Sequence, residues 1–318
     1  MSKVTVVIPN YNGIIFMDRC LSCLTKQTYQ DFQIIVVDNC SEDGSELVVE
    51  NYKDCLNIAV IKLDENKGFS KAVNIGIEAS DSEYVILLNN DAYTDENFIK
   101  ELINKMNSDD RIFSAQALML QEQNSTLVDS AGDYFSALGW GFSRGKDRSS
   151  SIYNHDMEIF SACAGAAIYR KNILDEIGYF DESFFAYLED MDLGYRARLK
   201  GYINVLASRA VVYHVGSGSS GSRHNAFKVK LSSRNSFLVM YKNFAWWQWP
   251  LNIGLIGMGY LIKIIFFKQK NLANYYIAGV REFNEYKHRV NKISPIRYSL
   301  YFQIQWKLWI NCFRRLFK

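Results

Sequence analysis

Along the first ninety positions, apolar residues come in short unbroken runs, and each run ends in polar side chains. Val4–Ile8 ends at Pro9-Asn-Tyr-Asn-Gly13, Phe32–Val37 at Asp38, Ile58–Leu63 at Asp64-Glu-Asn-Lys-Gly68, and Tyr84–Leu88 at Asn89-Asn-Asp91. Runs of this length without alternation predict strands buried on both faces. Between them the spacing changes to that of helices: Phe16, Cys20 and Leu24 stand at i, i+4 and i+8, a second helix is expected over Glu46–Tyr52, and Ala72, Val73, Ile75 and Ile77 mark a third. Strands alternating with helices over short links predict right-handed βαβ units, an α/β fold and a mainly parallel sheet.

Four polar loops, Pro9–Gly13, Asp38–Ser41, Asn66–Ser70 and Asn89–Asp91, then gather at the carboxyl edge of that sheet. A ligand, usually a nucleotide, binds at such an edge. Pro9-Asn-Tyr-Asn-Gly13 lacks the glycines of a Gly-x-Gly-x-x-Gly dinucleotide turn, which argues against a dehydrogenase.

Past Asp91 the pattern loosens. A helix is expected over Glu96–Met106, a strand over Ile112–Leu120, and a loop-rich stretch over 121–158 that holds Trp140-Gly-Phe-Ser143. Phe160–Tyr169 is rich in small residues, as either close backbone approach to a ligand or tight core packing would require. Glu189, Asp190 and Asp192 crowd the start of a helix that runs to Lys200 and stops at Gly201. One carboxylate suffices to cap a helix; three side by side repel, and suit a general base, a metal or a cationic substrate. A strand over Ala210–Tyr213 ends at His214, which opens a Gly/Ser loop and reads equally as a ligand or as an ordinary surface or core histidine.

Composition refines this picture. The net charge of +2 divides into 24 basic and 32 acidic residues over 1–242 and 12 basic and 2 acidic over 243–318. An acidic body argues against a nucleic-acid partner. The 318-residue chain is organised as a domain over 1–243, with a nucleotide half (1–91) and an acceptor and catalytic half (92–243), and a helical, basic and aromatic region over 244–318. Phe244–Phe267 is long enough to cross a hydrocarbon core, but Pro250, Asn252 and Lys263 interrupt it, and crossing would put the basic tail outside. The expectation is a helix lying on an anionic membrane surface, with a true span or a homodimer interface as alternatives. No apolar leader follows Met1, so the body is expected in the cytoplasm, attached to the inner face of the cell membrane. Cys20 and Cys23 have no second pair at zinc spacing and are expected to be packing residues.

Five stretches match a known family in unbroken order: Val4-Thr-Val-Val-Ile-Pro-Asn-Tyr-Asn-Gly13, Val36-Val-Asp-Asn-x-Ser-x-Asp-Gly44, Asn66-x-Gly-Phe-Ser-x-Ala-x-Asn-x-Gly76, Leu87-Leu-Asn-Asn-Asp91 and Tyr187-x-Glu-Asp-x-Asp-Leu-x-x-Arg196. Over residues 3–243 the chain resembles the inverting family-2 glycosyltransferases of GT-A fold, most of all the rhamnosyltransferase-type enzymes of bacterial surface-polysaccharide assembly. The resemblance implies that Pro9, Tyr11, Asn12 and Asp38 hold base and ribose, with Asn66, Gly68 and Asn74 completing the nucleotide wall. Asn89, Asn90 and Asp91 fall on the Asp-x-Asp position, where Asp91, with His214, would bind Mn²⁺ or Mg²⁺ at the diphosphate. Asn89 replaces the first Asp of that motif. Asp190 would be the catalytic base, and Arg234-Asn235, with the Ser217–Arg223 loop, would close over the diphosphate. Acceptor contacts are expected from 121–158, Trp140 above all, and from Glu189 and Asp192.

The chemistry agrees. Leaving-group charge needs a Lewis acid, and an acceptor hydroxyl needs a carboxylate within reach. The implied activity moves a sugar, rhamnose from dTDP-rhamnose or another dTDP- or UDP-linked sugar, to a hydroxyl of a lipid-linked saccharide. The rivals are a non-catalytic scaffold of the same fold and a sugar-phosphate nucleotidyltransferase. The latter needs a basic triphosphate loop, and Pro9–Gly13 contains neither Arg nor Lys.

Overall fold

A computed structural model describes residues 2–216, 224–293 and 297–316. In chain order the first half builds β1 (Val4–Asn10), α1 (Ile14–Leu24), β2 (Phe32–Asp38), α2 (Ser45–Glu50), β3 (Ile58–Lys62), α3 (Gly68–Glu78) and β4 (Tyr84–Leu88). These four strands are parallel, in the order β3-β2-β1-β4. All five residues of β4 are buried, as an uninterrupted apolar run requires.

The chain continues through β5 (Ala92–Thr94), α4 (Phe98–Met106), β6 (Ile112–Gln121), β7 (Asn124–Ser130), β8 (Asp133–Phe135), β9 (Gly141–Ser143), β10 (Met157–Ile159), β11 (Ala166–Arg170), α5 (Lys171–Ile177), α6 (Glu189–Lys200) and β12 (Ile203–His214). β11 inserts antiparallel between β4 and β6; β12 runs parallel to β6, and β10 closes that edge antiparallel. The result is a mixed, mostly parallel sheet with helices on both faces. One face packs α1 and α4 through Met17, Leu21, Leu24, Ile99 and Leu102, and the other packs α3, α5 and α6 through Val73, Ile77, Leu174 and Leu193.

Two expectations are refined. The loop-rich 121–158 stretch also contains β7, β8, β9 and the start of β10, three of which have only three residues, too few to display alternation. The strand expected over Ala210–Tyr213 is the second half of a twelve-residue strand. An irregularity in the register between Ala207 and Val211 interrupts its pattern. Cys20 and Cys23 are free thiols, and Cys20 is buried in the α1 core.

The C-terminal quarter is helical: α7 (Ala226–Asn243), α8 (Gln248–Lys268), α9 (Ala273–Tyr286) and α10 (Tyr298–Leu316). These helices share a core with the body, in which Leu238, Ile256, Tyr301 and Leu308 meet Phe135, Phe160 and Tyr195. Pro250 falls in the first turn of α8, where a missing N–H costs little.

Candidate active site

A cleft of about 990 Å³ opens at the carboxyl ends of β1, β2 and β4 and is walled on the far side by β9, the start of α6 and the start of α7. Strand direction dictates its place: the buried apolar residues stop and the next polar side chains face the opening.

On the nucleotide side, Pro9, Tyr11, Asn39, Asn66 and Gly68 line the cleft. Asn10 organises this wall from beneath. Its Nδ2 donates to Asp38 Oδ1 (2.9 Å) and Ser45 Oγ (2.8 Å), and its Oδ1 accepts from Asn90 Nδ2 (2.8 Å). A Cβ on Gly13 would lie 2.0 Å from Asn90 Nδ2, so only glycine fits there. Asn39 Nδ2 donates to Asn66 Oδ1 (3.0 Å), which also accepts from Gly68 N–H (3.0 Å). Gly68 has φ +83°, and a Cβ there would press within 2.6 Å of Phe185.

Three residues expected on this wall do not line it. Asp38 is buried, one oxygen on Asn10 and the other accepting from Ser41 N–H, and its neighbour Asn39 faces the cleft instead. Asn12 links two loops, accepting from Glu42 N–H, while its own N–H reaches Ser41 Oγ. Asn74 is a latch beneath the surface, exchanging hydrogen bonds with the Phe180 backbone in both directions.

At the end of β4, Asn89, Asn90 and Asp91 all line the cleft, and His214 reaches it from the end of β12. His214 Nε2 lies 3.3 Å from Asp91 Oδ1, and its Nδ1 lies 2.9 Å from Asp129 Oδ2. Lys146 pairs with the other Asp129 oxygen. Burial alone would lower the imidazole, but the two carboxylates outweigh it and lift His214 to about 9. The donor set fits a divalent cation. A carboxylate oxygen and an imidazole nitrogen converge, and a second carboxylate holds the far ring nitrogen in the manner typical of metal-bound histidines.

Across the cleft sits a group that the sequence reading only partly caught. Asp190 accepts from Ala164 N–H (3.3 Å) and Met191 N–H (2.7 Å), and burial raises its carboxyl to about 6. Asp133, on β8, joins it. Donor atoms of Asp133, Cys163 and Asp190 lie within 4.8 Å of one another. Burial and the Asp190 charge lift Asp133 to about 8. Glu189 also lines the cleft and is pushed well up by burial and by Asp190. Asp133 opens a three-residue strand too short to display alternation, and the one signal in the sequence is a carboxylate directly after Gly132 and before two aromatics.

The remaining expectations are redistributed. Arg234 and Asn235 do not line the cleft. Asn235 Nδ2 donates to the carbonyls of Phe184 (3.0 Å), Ala186 (2.9 Å) and Tyr187 (2.7 Å), and Arg234 donates to that of Phe184 (2.8 Å) and stacks on Tyr286. They hold the 184–188 loop, which does line the cleft and in which Phe185, Tyr187 and Leu188 all have φ between 64° and 71°. The cation that α7 presents to the cleft is Lys228; burial lowers its ammonium and the Asp91 charge opposes that. Trp140 is buried beside Lys263 of α8, and its neighbours Gly141, Phe142 and Ser143 form the wall. Asp192 is fully buried on Arg196 (2.9 Å), Lys242 (2.9 Å) and Asn243 (2.7 Å) and is structural. The Ser217–Arg223 loop lies outside the described residues.

Sheet order and the cleft at its carboxyl edge are those of the GT-A fold. Residues 5–178 match the family described as Glycosyl transferase family 2, and the chain belongs to it. It is 26% identical to the uncharacterized glycosyltransferase YwdF of Bacillus subtilis, over 76% of this chain and 88% of that one. It is 24% identical to the N-acetylglucosaminyl-diphospho-decaprenol L-rhamnosyltransferase of Mycobacterium tuberculosis, over 79% and 89%. Among solved structures, GalNAc-T7 with UDP, GalNAc and Mn²⁺ superposes with a TM-score of 0.62 at 15% identity, over 76% of this chain and 48% of that one, a likeness of fold alone.

Proposed function

We propose that this glycosyltransferase works with a divalent cation and inversion, moving a sugar from a dTDP- or UDP-linked donor to a hydroxyl of a lipid-linked saccharide. The observation that carries the reading is the opposition of Asp190 to the Asp91–His214 corner across one cleft. Asp91 and His214 would hold Mn²⁺ or Mg²⁺, which supplies charge neutralisation at the diphosphate. Lys228 adds a second positive charge on the same side. Asp190, poised near neutrality by burial, takes the proton of the acceptor hydroxyl as it attacks the anomeric carbon, and a single base on the face away from the leaving group means inversion. Rhamnose as the sugar and a polyprenyl-linked acceptor are supported by the mycobacterial relative's activity.

The same reading has the chain attached peripherally to the inner face of the cell membrane through its apolar C-terminal helices. α8 is long and apolar enough to span, yet it is bound along one stripe to the body. Asn252 exchanges side-chain hydrogen bonds with Gln305 of α10 (2.8 and 2.9 Å), and Gly259 abuts Leu138. Crossing would break these contacts and bury Lys263 in lipid. The scaffold alternative gives no reason for a buried Asp190 facing the Asp91–His214 pair across the cleft.

The deciding experiment is calorimetric titration with UDP and dTDP, with and without Mn²⁺, on wild type, Asp91→Ala and Asp190→Asn. Expected are metal-enhanced binding abolished in Asp91→Ala, and full binding with no transfer in Asp190→Asn. Absence of nucleotide binding under every condition, or transfer within a few-fold of wild type in Asp190→Asn, overturns the assignment.

A further inference from the structure

Asp133 has no role in the reading above, yet it is built into the reaction centre. Its strand is clasped to the start of α6 by one residue. Ser161 pairs with the Asp133 backbone through N–H···O bonds in both directions (3.0 and 3.4 Å), and its hydroxyl donates to the Asp190 carbonyl (2.6 Å). The two carboxyls are thereby fixed against each other, with oxygens within 4.8 Å. Asp133 Oδ1 is shut off from solvent and has no hydrogen-bond partner among the described residues; Glu189 Oε2, also in the cleft wall, is in the same condition.

The groups facing Asp133 are Asp190 and Glu189 of α6, Asp129 of β7, Cys163 and the phenol of Tyr169. The nearby cations, Lys146 and His214, are bound to Asp129. Two buried carboxyls this close repel when both are charged, so one of the pair retains a proton to higher pH than an isolated carboxyl does. At a separation of up to 4.8 Å, a single hydroxyl oxygen placed between them could hydrogen-bond to both.

We propose that Asp133 is the protonated partner of Asp190 and that the attacking hydroxyl of the acceptor sits between them, accepting from the Asp133 acid and donating to the Asp190 carboxylate. This rests on the transferase reading and adds a substrate-touching residue to it. As the new bond from the acceptor oxygen to the anomeric carbon forms and the bond to the diphosphate oxygen breaks, the hydroxyl proton passes to Asp190 and the electron pair leaves with the diphosphate. Asp133 keeps its proton throughout and fixes the direction in which the hydroxyl presents its lone pair. Both carboxyls are raised, Asp190 to about 6 and Asp133 further, to about 8, and that order agrees with this division of roles.

Two measurements test it. Infrared difference spectra of wild type minus Asp133→Asn, taken on the ligand-free protein at neutral pH, need no substrate. They should contain the carbonyl band of a protonated carboxylic acid; carboxylate bands in its place overturn the proposal. In turnover of a UDP- or dTDP-sugar with sugar or water as acceptor, Asp133→Asn, which keeps a donor, should retain activity to within about tenfold and lose the alkaline limb near pH 8. Asp133→Ala should lose about a hundredfold. Both variants should bind UDP like wild type. A wild-type pH profile in Asp133→Asn, or equal losses in the two variants, overturns it. If wild type itself turns over no donor, the transferase reading fails, and the spectrum still decides whether the proton resides on Asp133.

Discussion

Asp190 and Asp192 stand two residues apart on α6 and meet opposite fates, because one faces the cleft and the other faces Lys242, Arg196 and Asn243. Burial pushes the Asp192 carboxyl up, but the two cations outweigh it and hold the group below the usual carboxylate range. A lowered folded pKa adds stability that is present above the unfolded value of about 4 and is lost as pH falls through the folded one. Asp192→Asn should therefore cost about 3 kcal/mol near pH 7, the penalty for leaving Lys242 and Arg196 underpaired in the interior. The deficit should shrink as pH falls below about 4, where the unfolded wild-type chain takes up a proton that the folded carboxyl still resists; urea midpoints at pH 7 and pH 3.5 check both the size and the sign. An equal deficit at both pH values would mean that packing, not charge, fixes the role of Asp192. The sequence makes the residue types at this helix start plain and leaves their assignment open, since the partners that decide it, Lys242 and Asn243, lie about fifty positions further along. Trp140 illustrates the same limit. An aromatic in a glycine-rich stretch suits a sugar platform equally well as a core plug, and Lys263 of α8 stands beside the ring.

At the scale of elements, the parallel half was legible because each strand is a short apolar run ending in polar groups, so one pattern gives both the sheet and its functional edge. The 184–188 loop was not legible. It has no periodicity, and its three residues with positive φ, at about 1–3 kcal/mol each, are held mainly by α7. Asn235 supplies three of the hydrogen bonds that hold it, and Ser70 N–H, in the helix after the Gly68 turn, donates to the Phe185 carbonyl at 3.2 Å. Asn235→Ala should lower unfolding stability by about 3 kcal/mol, because it leaves buried carbonyls unmatched. It should also weaken UDP binding severalfold through the Gly68 turn, as denaturant titration and calorimetry would measure. A stability loss with unchanged affinity would mean that the loop holds the core together without shaping the nucleotide wall.

For the molecule as a whole, the division between an acidic body and a basic C-terminal quarter coincides with a division of its surface. Leu251, Ile253, Leu261 and Ile265 of α8 and Phe302, Trp306 and Phe313 of α10 are exposed, as is Trp246. Trp247 stacks on Phe302 at 4.8 Å, which joins the two helices, and Lys268, Lys270, Lys292 and Arg297 of the same basic C-terminal region are exposed as well. Apolar anchors with basic neighbours suit an anionic lipid surface better than a neutral one. Removing α10 altogether is a poor test of this, because its opposite side, Tyr301, Ile304 and Leu308, is buried and Asn311 donates to the Phe135 carbonyl next to the reaction centre; deletion would unfold the wall that carries Asp133. Charging only the outer side is cleaner. Burying each aromatic contributes about 1.5–3 kcal/mol, so Phe302→Glu with Trp306→Glu should cut cosedimentation with phosphatidylglycerol vesicles by at least about tenfold while leaving UDP binding intact. Wild type should bind such vesicles more strongly than phosphatidylcholine ones, and raised salt should narrow the difference. If partitioning is unchanged and the double variant instead turns a dimer into a monomer by light scattering, the surface is a subunit interface, and the acceptor reaches the cleft without help from these helices.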